Sequence, residues 1–304
     1  MNVERPVKLG YPRRLYIETF HGCNARCSIC SVGRWSRPHG EMPQAVFETV
    51  VEQTRAFRDH LVVVSLYSSG EPLMGRRIAE RVAFCKNAGL PNVGFSTNGM
   101  LLDEDTSRRL LDAGLDWITV SVDSPVKKTF EDIRIRLDFE RVLGNVLDHI
   151  ERRDRTGSSS KINLRFIEQD ANRHQFEEFL AFWSRRLSEA IGDEVQRQPV
   201  NNWTWERSLE AETLTTPCMR LFDQCLVNSD GSVPLCCSDY NTDYDFGNVL
   251  ERPLLDIWTC ARRRNIQDIH MAGKRDKLKL CVNCDIPELL PMMRDFPRRA
   301  KVAV

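Results

Sequence analysis

Up to about residue 200 the chain alternates two kinds of pattern. Short β-rich runs, RRLYIETF near 13–20, LVVVSLY at 61–67, VGFSTN at 93–98, WITVSVD at 117–123 and INLRFIE at 162–168, are separated by helix-like stretches at 43–58, 76–88, 103–113, 138–153 and 173–187. A strand followed by a helix, repeated, implies a parallel sheet, because parallel neighbours need a crossover connection. With DEVQRQPV at 193–200 as a sixth strand, the expected class is α/β, a partial (β/α)6 TIM-like barrel. Its functional residues should sit at the carboxyl ends of the strands. After NNWTWERSLEAETLTTP the rhythm stops and cysteines become dense. This predicts a boundary between about 200 and 215, dividing residues 1–205 from 206–304. The second segment reads as a β-hairpin turning at Asp230–Gly231, a helix at about 254–272 and a loop. It is too short to build a large core alone, so a metal would be a natural staple.

Charge and cysteine usage then narrow the function. Forty-three basic residues balance forty-three acidic ones, so no global field attracts nucleic acid or an anionic membrane, and a small-molecule partner is expected. No apolar run approaches the roughly 18 residues of a membrane span. The start MNVERPVKLG lacks the apolar core of a signal peptide. The expected location is the cytoplasm, where disulfides rarely persist. Eleven cysteines in that compartment favour metal or redox chemistry over a disulfide framework.

The first chemical constellation is ETFHGCNARCSIC, just after the first strand, with Cys23, Cys27 and Cys30. Its spacing brings three thiolates to one centre on a tight loop, whereas a closed zinc or cluster site wants four. An iron left open can bind a substrate or cofactor. His21 beside this set reads as a loop hydrogen bonder.

CxxxCxxC after the first strand of a partial barrel resembles the radical S-adenosylmethionine (SAM) superfamily, and the likeness runs over residues 13–200. It implies a [4Fe–4S] cluster on Cys23, Cys27 and Cys30 whose open iron chelates SAM. YSSGEPLM resembles the family's GGEP motif, with Ser69 replacing the first glycine. The resemblance makes Glu71 the acceptor for the SAM amino group, with Gly70 and Pro72 shaping the turn. STNG offers Ser96 and Asn98 for the ribose and methionine; Ser121 in SVDS and Arg134 in FEDIRI resemble the pair that reaches the carboxylate and ribose. Ile29 departs from the pattern, since an aromatic residue usually stands before the third cysteine to pack on the adenine.

The second constellation is Cys218, Gly231 and Cys236 in C-x12-G-x4-C, followed by Cys281 and Cys284 in CVNC. Four thiolates close a site that on ligand type alone suits zinc as well as iron and sulfur. The surrounding text resembles SPASM, the cluster-binding extension of many radical SAM barrels. No cysteine follows Cys284, which is similar to the shortened twitch form with a single auxiliary [4Fe–4S] cluster. In layout the chain is most similar to the aminocyclitol dehydrogenase of butirosin biosynthesis.

The resemblance implies a radical SAM oxidoreductase that removes hydrogen from a small polyol, aminocyclitol or sugar, with flavodoxin or ferredoxin as electron donor. Oxidation of a secondary alcohol to a ketone is the expected reaction. Amino-sugar epimerisation with a cysteine hydrogen donor and maturation of a ribosomally made peptide are the alternatives. Candidate catalytic residues are Arg165, to hold an alkoxide or ketyl oxygen, Glu168, to accept a proton, and Cys237 and Cys260 as thiol donors. Cys225 and Cys85 read as packing cysteines, and Trp203 and Trp205 as an interdomain seam or a cover for the barrel mouth.

Overall fold

A computed structural model describes residues 7–201, 215–282 and 284–285. The expected strands form: β1 (Arg14–Ile17), β4 (Val63–Ser65), β5 (Val93–Thr97), β6 (Trp117–Ser121), β7 (Lys161–Glu168) and β8 (Glu194–Pro199), in that order in one parallel sheet. β5 is buried at all five positions and β6 at four, as for strands of a parallel sheet covered on both faces. A short antiparallel pair, β2 (Phe20–His21) with β3 (Gly40–Glu41), brackets the first cysteine loop. Among the described residues the sheet is open, with no ladder joining its two edge strands, so the barrel is partial.

The crossover helices are α1 (Gln44–Thr54), α2 (Ile78–Asn87), α3 (Glu104–Asp112), α4 (Lys127–Ile133), α5 (Phe139–Thr156) and α6 (Phe176–Ser184). α4 was not expected from the pattern. α5 shows why its register is secure: Phe139, Val142, Val146, His149, Ile150 and Arg153 make one buried stripe. Asp138 caps its start by accepting from Arg141 N at 2.7 Å, and Gly157 ends it in the left-handed conformation. The buried Arg153 reaches the Asp193 carboxylate at 2.8 Å and ties α5 to the approach of β8.

The C-terminal segment departs from the expected hairpin. A short helix α7 (Arg220–Asp223) leads into β9 (Gln224–Val227), which pairs in parallel with β1 and becomes the seventh strand of the barrel sheet. The unpaired edge of β1 recruits it, because a free row of N–H and C=O groups is a ready template. The turn at Asp230–Gly231 is present, with Asn228 N donating to Ser232 O at 2.9 Å. Its return arm instead meets residues 246–249 through bonds such as Val233 N to Gly247 O. The helix expected at 254–272 is two, α8 (Leu254–Trp258) and α9 (Ala261–Met271), broken at Thr259–Cys260.

One continuous core links barrel and C-terminal segment, running from Leu15, Val64 and Val120 to Leu254, Trp258 and Cys281. Polar ties cross the same seam: Leu254 N donates to Gln53 Oε1 at 2.7 Å and Gln53 Nε2 to Val249 O at 2.9 Å. The expected boundary at 205/206, with Trp203 and Trp205, lies outside the described residues. Among the described residues no helix is long and apolar enough to cross a membrane.

Candidate active site

The first cysteine loop is locked to the GEP turn by backbone. Glu71 N donates to Gly22 O at 2.8 Å, and Gly70 sits at φ 115°. A Cβ on Gly70 would stand 2.3 Å from Phe20 O and 2.9 Å from Gly22 O, so only glycine lets these two segments meet. Glu71 is buried, accepting from Leu73 N (3.1 Å), Thr97 Oγ1 (2.6 Å) and Asn98 N (2.7 Å). Burial nevertheless raises its carboxyl to about 6, the three hydrogen bonds opposing.

These strand ends enclose a cavity of about 150 Å³. Cys23, Cys27, Cys30, Gly70, Glu71, Ser96, Asn98, Ser121, Arg134 and Arg165 all line it. Arg134 Nε donates to Asp123 Oδ2 at 2.6 Å, and its Nη1 lies 3.6 Å from Cys27 Sγ. Asp123, fully buried and at φ 59°, orients that guanidinium and also accepts from Ile167 N at 2.8 Å.

The donor set fits a cluster with an open iron. Burial pushes Cys23 up to about 12 and also raises Cys30; their mutual proximity and that of Cys27 add to the effect. Cys23 and Cys30 therefore stay protonated until a metal displaces the protons. N–H groups already aim at sulfur, with Ala25 N 3.4 Å and Asn98 Nδ2 3.9 Å from Cys23 Sγ, as around cluster thiolates. Two buried donors on the cavity wall, Ser96 Oγ and Arg165 Nε, have no partner within the protein. A ligand is what would satisfy them.

The four later thiols lie within electrostatic range of one another. Cys218, Cys281 and Cys284 are buried and Cys236 half-buried. Burial raises Cys236 well above its ordinary value, reinforced by Cys237, Cys281 and Cys284, while Cys281 is raised to about 12 by burial and by Cys218. Such a closed set suits a fully protein-ligated centre.

Residues 17–158 match the radical SAM superfamily. The chain carries a radical SAM domain. Residues 218–285 of this radical SAM chain match SPASM, an iron-sulfur cluster-binding domain. Its cofactors are therefore SAM and iron–sulfur clusters, one in the barrel and one auxiliary. The tungsten-containing aldehyde ferredoxin oxidoreductase cofactor-modifying protein of Pyrococcus furiosus is 23% identical over 82% of this chain and 81% of its own length. The Fe-coproporphyrin III synthase of Methanosarcina barkeri is 24% identical over 85% and 75%. Among solved structures, BtrN in complex with AdoMet and 2-DOIA shares the fold at 19% identity and a TM-score of 0.64, covering 92% of this chain and 94% of BtrN. Streptococcus suis SuiB bound to the precursor peptide SuiA gives 15% identity and a TM-score of 0.67, over 93% and 71%.

Within the radical SAM barrel, not every expected residue joins the cavity. Ile29 is absent from its lining, whereas Trp35 and Tyr67 contribute aromatic faces. Glu168 lies outside the lining too, with Oε1 2.8 Å from Arg173 Nε and Oε2 2.5 Å from Arg197 Nε. Cys237 accepts from Arg220 Nη1 at 2.8 Å, and Cys260 holds the N-cap position of α9; neither lines the cavity. Cys85 and Cys225 are fully buried core residues.

Sequence reasoning missed Thr97 and Asp123, which position Glu71 and Arg134. Thr97 was within reach as the TN of STNG, and Asp123 as the D of SVDS. It also missed Glu18. That buried carboxylate accepts from Arg37 Nη2 at 2.6 and 2.8 Å and from Ser229 N at 3.0 Å, with His21 Nδ1 3.2 Å away. Arg37 Nε donates in turn to Tyr240 O at 2.8 Å, so Glu18 clasps the cluster loop to the SPASM segment.

Proposed function

We propose that the chain oxidises a secondary alcohol of a small polyol, aminocyclitol or sugar to a ketone. The observation that carries this reading is Arg165 Nε, a buried donor without a partner inside the cavity that the three thiols line. A substrate oxygen is the acceptor it lacks. When bound, the barrel cluster and SAM would supply the radical chemistry that removes a hydrogen atom from a substrate carbon. The chain's own residues do the rest. Cys23, Cys27 and Cys30 hold the barrel cluster. Glu71 accepts from the SAM amino group, Arg134 is aimed at its carboxylate by Asp123, and Ser96, Asn98 and Ser121 bind along the nucleoside. Trp35, rather than Ile29, offers the adenine an aromatic face. Arg165 fixes the carbinol oxygen and favours its loss of a proton. Cys218, Cys236, Cys281 and Cys284 hold a single auxiliary cluster, and an external flavodoxin or ferredoxin supplies reducing electrons.

Epimerisation needs a thiol facing the substrate, and Cys237 and Cys260 stand outside the cavity. A peptide substrate has the likeness to SuiB on its side; the unpartnered Ser96 Oγ and Arg165 Nε on the wall favour a polyol. The deciding experiment is anaerobic turnover of reconstituted protein with SAM and a panel of aminocyclitols and sugars, scored by product mass. Loss of two hydrogens supports the proposal, and an isobaric product carrying solvent deuterium sinks it.

A further inference from the structure

Three arginines, Arg263 and Arg275 buried and Arg220 half-buried, stand around the four thiols of the SPASM segment. Arg220 donates to Cys237 Sγ and lies within electrostatic reach of Cys218. Arg263, 1% exposed, faces the rings of Trp258 (4.1 Å) and Phe246 (5.6 Å) and feels Cys225, Cys236 and Cys260. Arg275, also 1% exposed, donates to Cys284 O at 2.9 Å and acts on Cys281.

Buried arginines ordinarily meet a carboxylate, because an unpaired buried charge is costly. The barrel obeys this: Arg134 pairs with Asp123 and Arg153 with Asp193. Among the described residues, Arg220 and Arg263 have no carboxylate within ion-pair distance, and Arg263 Nε and Nη1 have no hydrogen-bond partner. Arg263 Nη2 reaches only the carbonyls of Leu221 and Gln224. One carboxylate, Asp239, acts on Cys236 and Cys281, and backbone N–H groups of Leu235, Asp243 and Tyr244 already surround it. The missing anion is supplied when four thiolates surround a [4Fe–4S] core, a unit doubly negative when oxidised and triply negative when reduced.

We propose that Arg220, Arg263 and Arg275 form a cationic cage that favours the reduced state of the auxiliary centre, fitting it to take up the electron an alcohol oxidation releases. Each positive charge stabilises the more negative state more, and burial strengthens the effect. The electron count rests on the dehydrogenase reading above. Oxidation of a carbinol releases, beyond the first hydrogen atom, one proton at the oxygen and one electron, and the cage stabilises the charge that electron adds.

The test uses the full chain with Cys23→Ala, Cys27→Ala and Cys30→Ala, so that the auxiliary centre alone contributes to an EPR-monitored redox titration. Arg263→Met and Arg220→Met should each lower the reduced-to-oxidised ratio at fixed potential tenfold or more, a negative shift of at least about 59 mV for one electron. Arg263→Lys and Arg220→Lys should largely restore it. Unchanged potentials in the Met variants overturn the cage. Loss of auxiliary iron in Met but not Lys variants supports it, as an anion that needs its counter-charge. Loss in both assigns the arginines to packing and overturns it. If the potentials shift while the turnover assay gives an isobaric product, the cage stands and the dehydrogenase reading falls. If the potentials stay put while a ketone forms, the dehydrogenase reading stands and the cage falls.

Discussion

The Glu18 clasp gives the sharpest quantitative expectation. Its carboxylate is fully buried, and it joins the cluster loop, through Arg37 and His21, to the SPASM segment, through Ser229 N. Glu18→Ala leaves the Arg37 guanidinium, whose side chain is 9% exposed, without its counter-charge. Removing one partner of a buried pair costs about 3–5 kcal/mol. The orphaned Ser229 N–H adds about 1 kcal/mol unless water reaches it. The expectation is a loss of about 5 kcal/mol, or roughly 10 °C in Tm for a chain of this size, read by anaerobic thermal unfolding of the cofactor-loaded protein at neutral pH. Arg37→Met should cost less, because Glu18 keeps His21 and Ser229 N. The double variant should fall short of the sum by about 2 kcal/mol. The acid limb supplies a second readout. Burial pushes the Glu18 carboxyl up, but hydrogen bonds from His21 and Arg37 hold it below its ordinary 4.5. Its contribution is therefore present above 4.5 and lost as pH falls through the lower folded value, and Glu18→Ala should flatten that loss. A cost under about 1 kcal/mol, or strict additivity with Arg37→Met, refutes the clasp.

Three further outcomes are expected. Gly70→Ala should destabilise by about 3 kcal/mol or more, since φ 115° and a 2.3 Å approach to Phe20 O leave no room for a Cβ; an unchanged melting curve would contradict the loop-to-turn lock. Glu71 titrates at about 6 in the fold against an ordinary 4.5. Its stabilising contribution is thus full below 4.5 and lost as pH rises through about 6, about 2 kcal/mol in all; the stability difference from Glu71→Gln should change by that amount across the window in urea titrations of SAM-free protein. Cys284→Ala should remove about half the iron and leave the SAM-dependent spectral change of the barrel cluster, consistent with two separate centres; equal loss from both would show one shared assembly.

The strands were legible because parallel strands buried on both faces write themselves as short apolar runs, as VGFST and WITVS do. α4 escaped because seven residues, Lys127–Ile133, bury only Phe130 and Ile133 and leave no stripe to read. The candidate cluster cysteines were legible as a group because thiolate spacing on one loop is local chemistry. Partnerships across the chain were not: β9 pairs with a strand far away in sequence, and Arg37 meets Glu18 across 19 positions. Glu168 illustrates the same limit. It stands at the end of β7 as expected, but the arginines that occupy it come from positions 173 and 197.

The parallel pairing of β9 with β1 also has a consequence for how the chain is made. Arg14–Ile17 leave the ribosome early, yet the partner for their outer edge, Gln224–Val227, is translated roughly 210 residues later. At about 5–20 residues per second that interval lasts on the order of 10–40 s. Throughout it the nascent barrel carries an open strand edge beside a loop of unligated thiols, a site for misassembly and oxidation. Closure of that edge is thus an act of synthesis as much as of folding. Cells that slow translation after residue 200 should accumulate aggregated chain, and supplying iron–sulfur assembly factors early should reduce it.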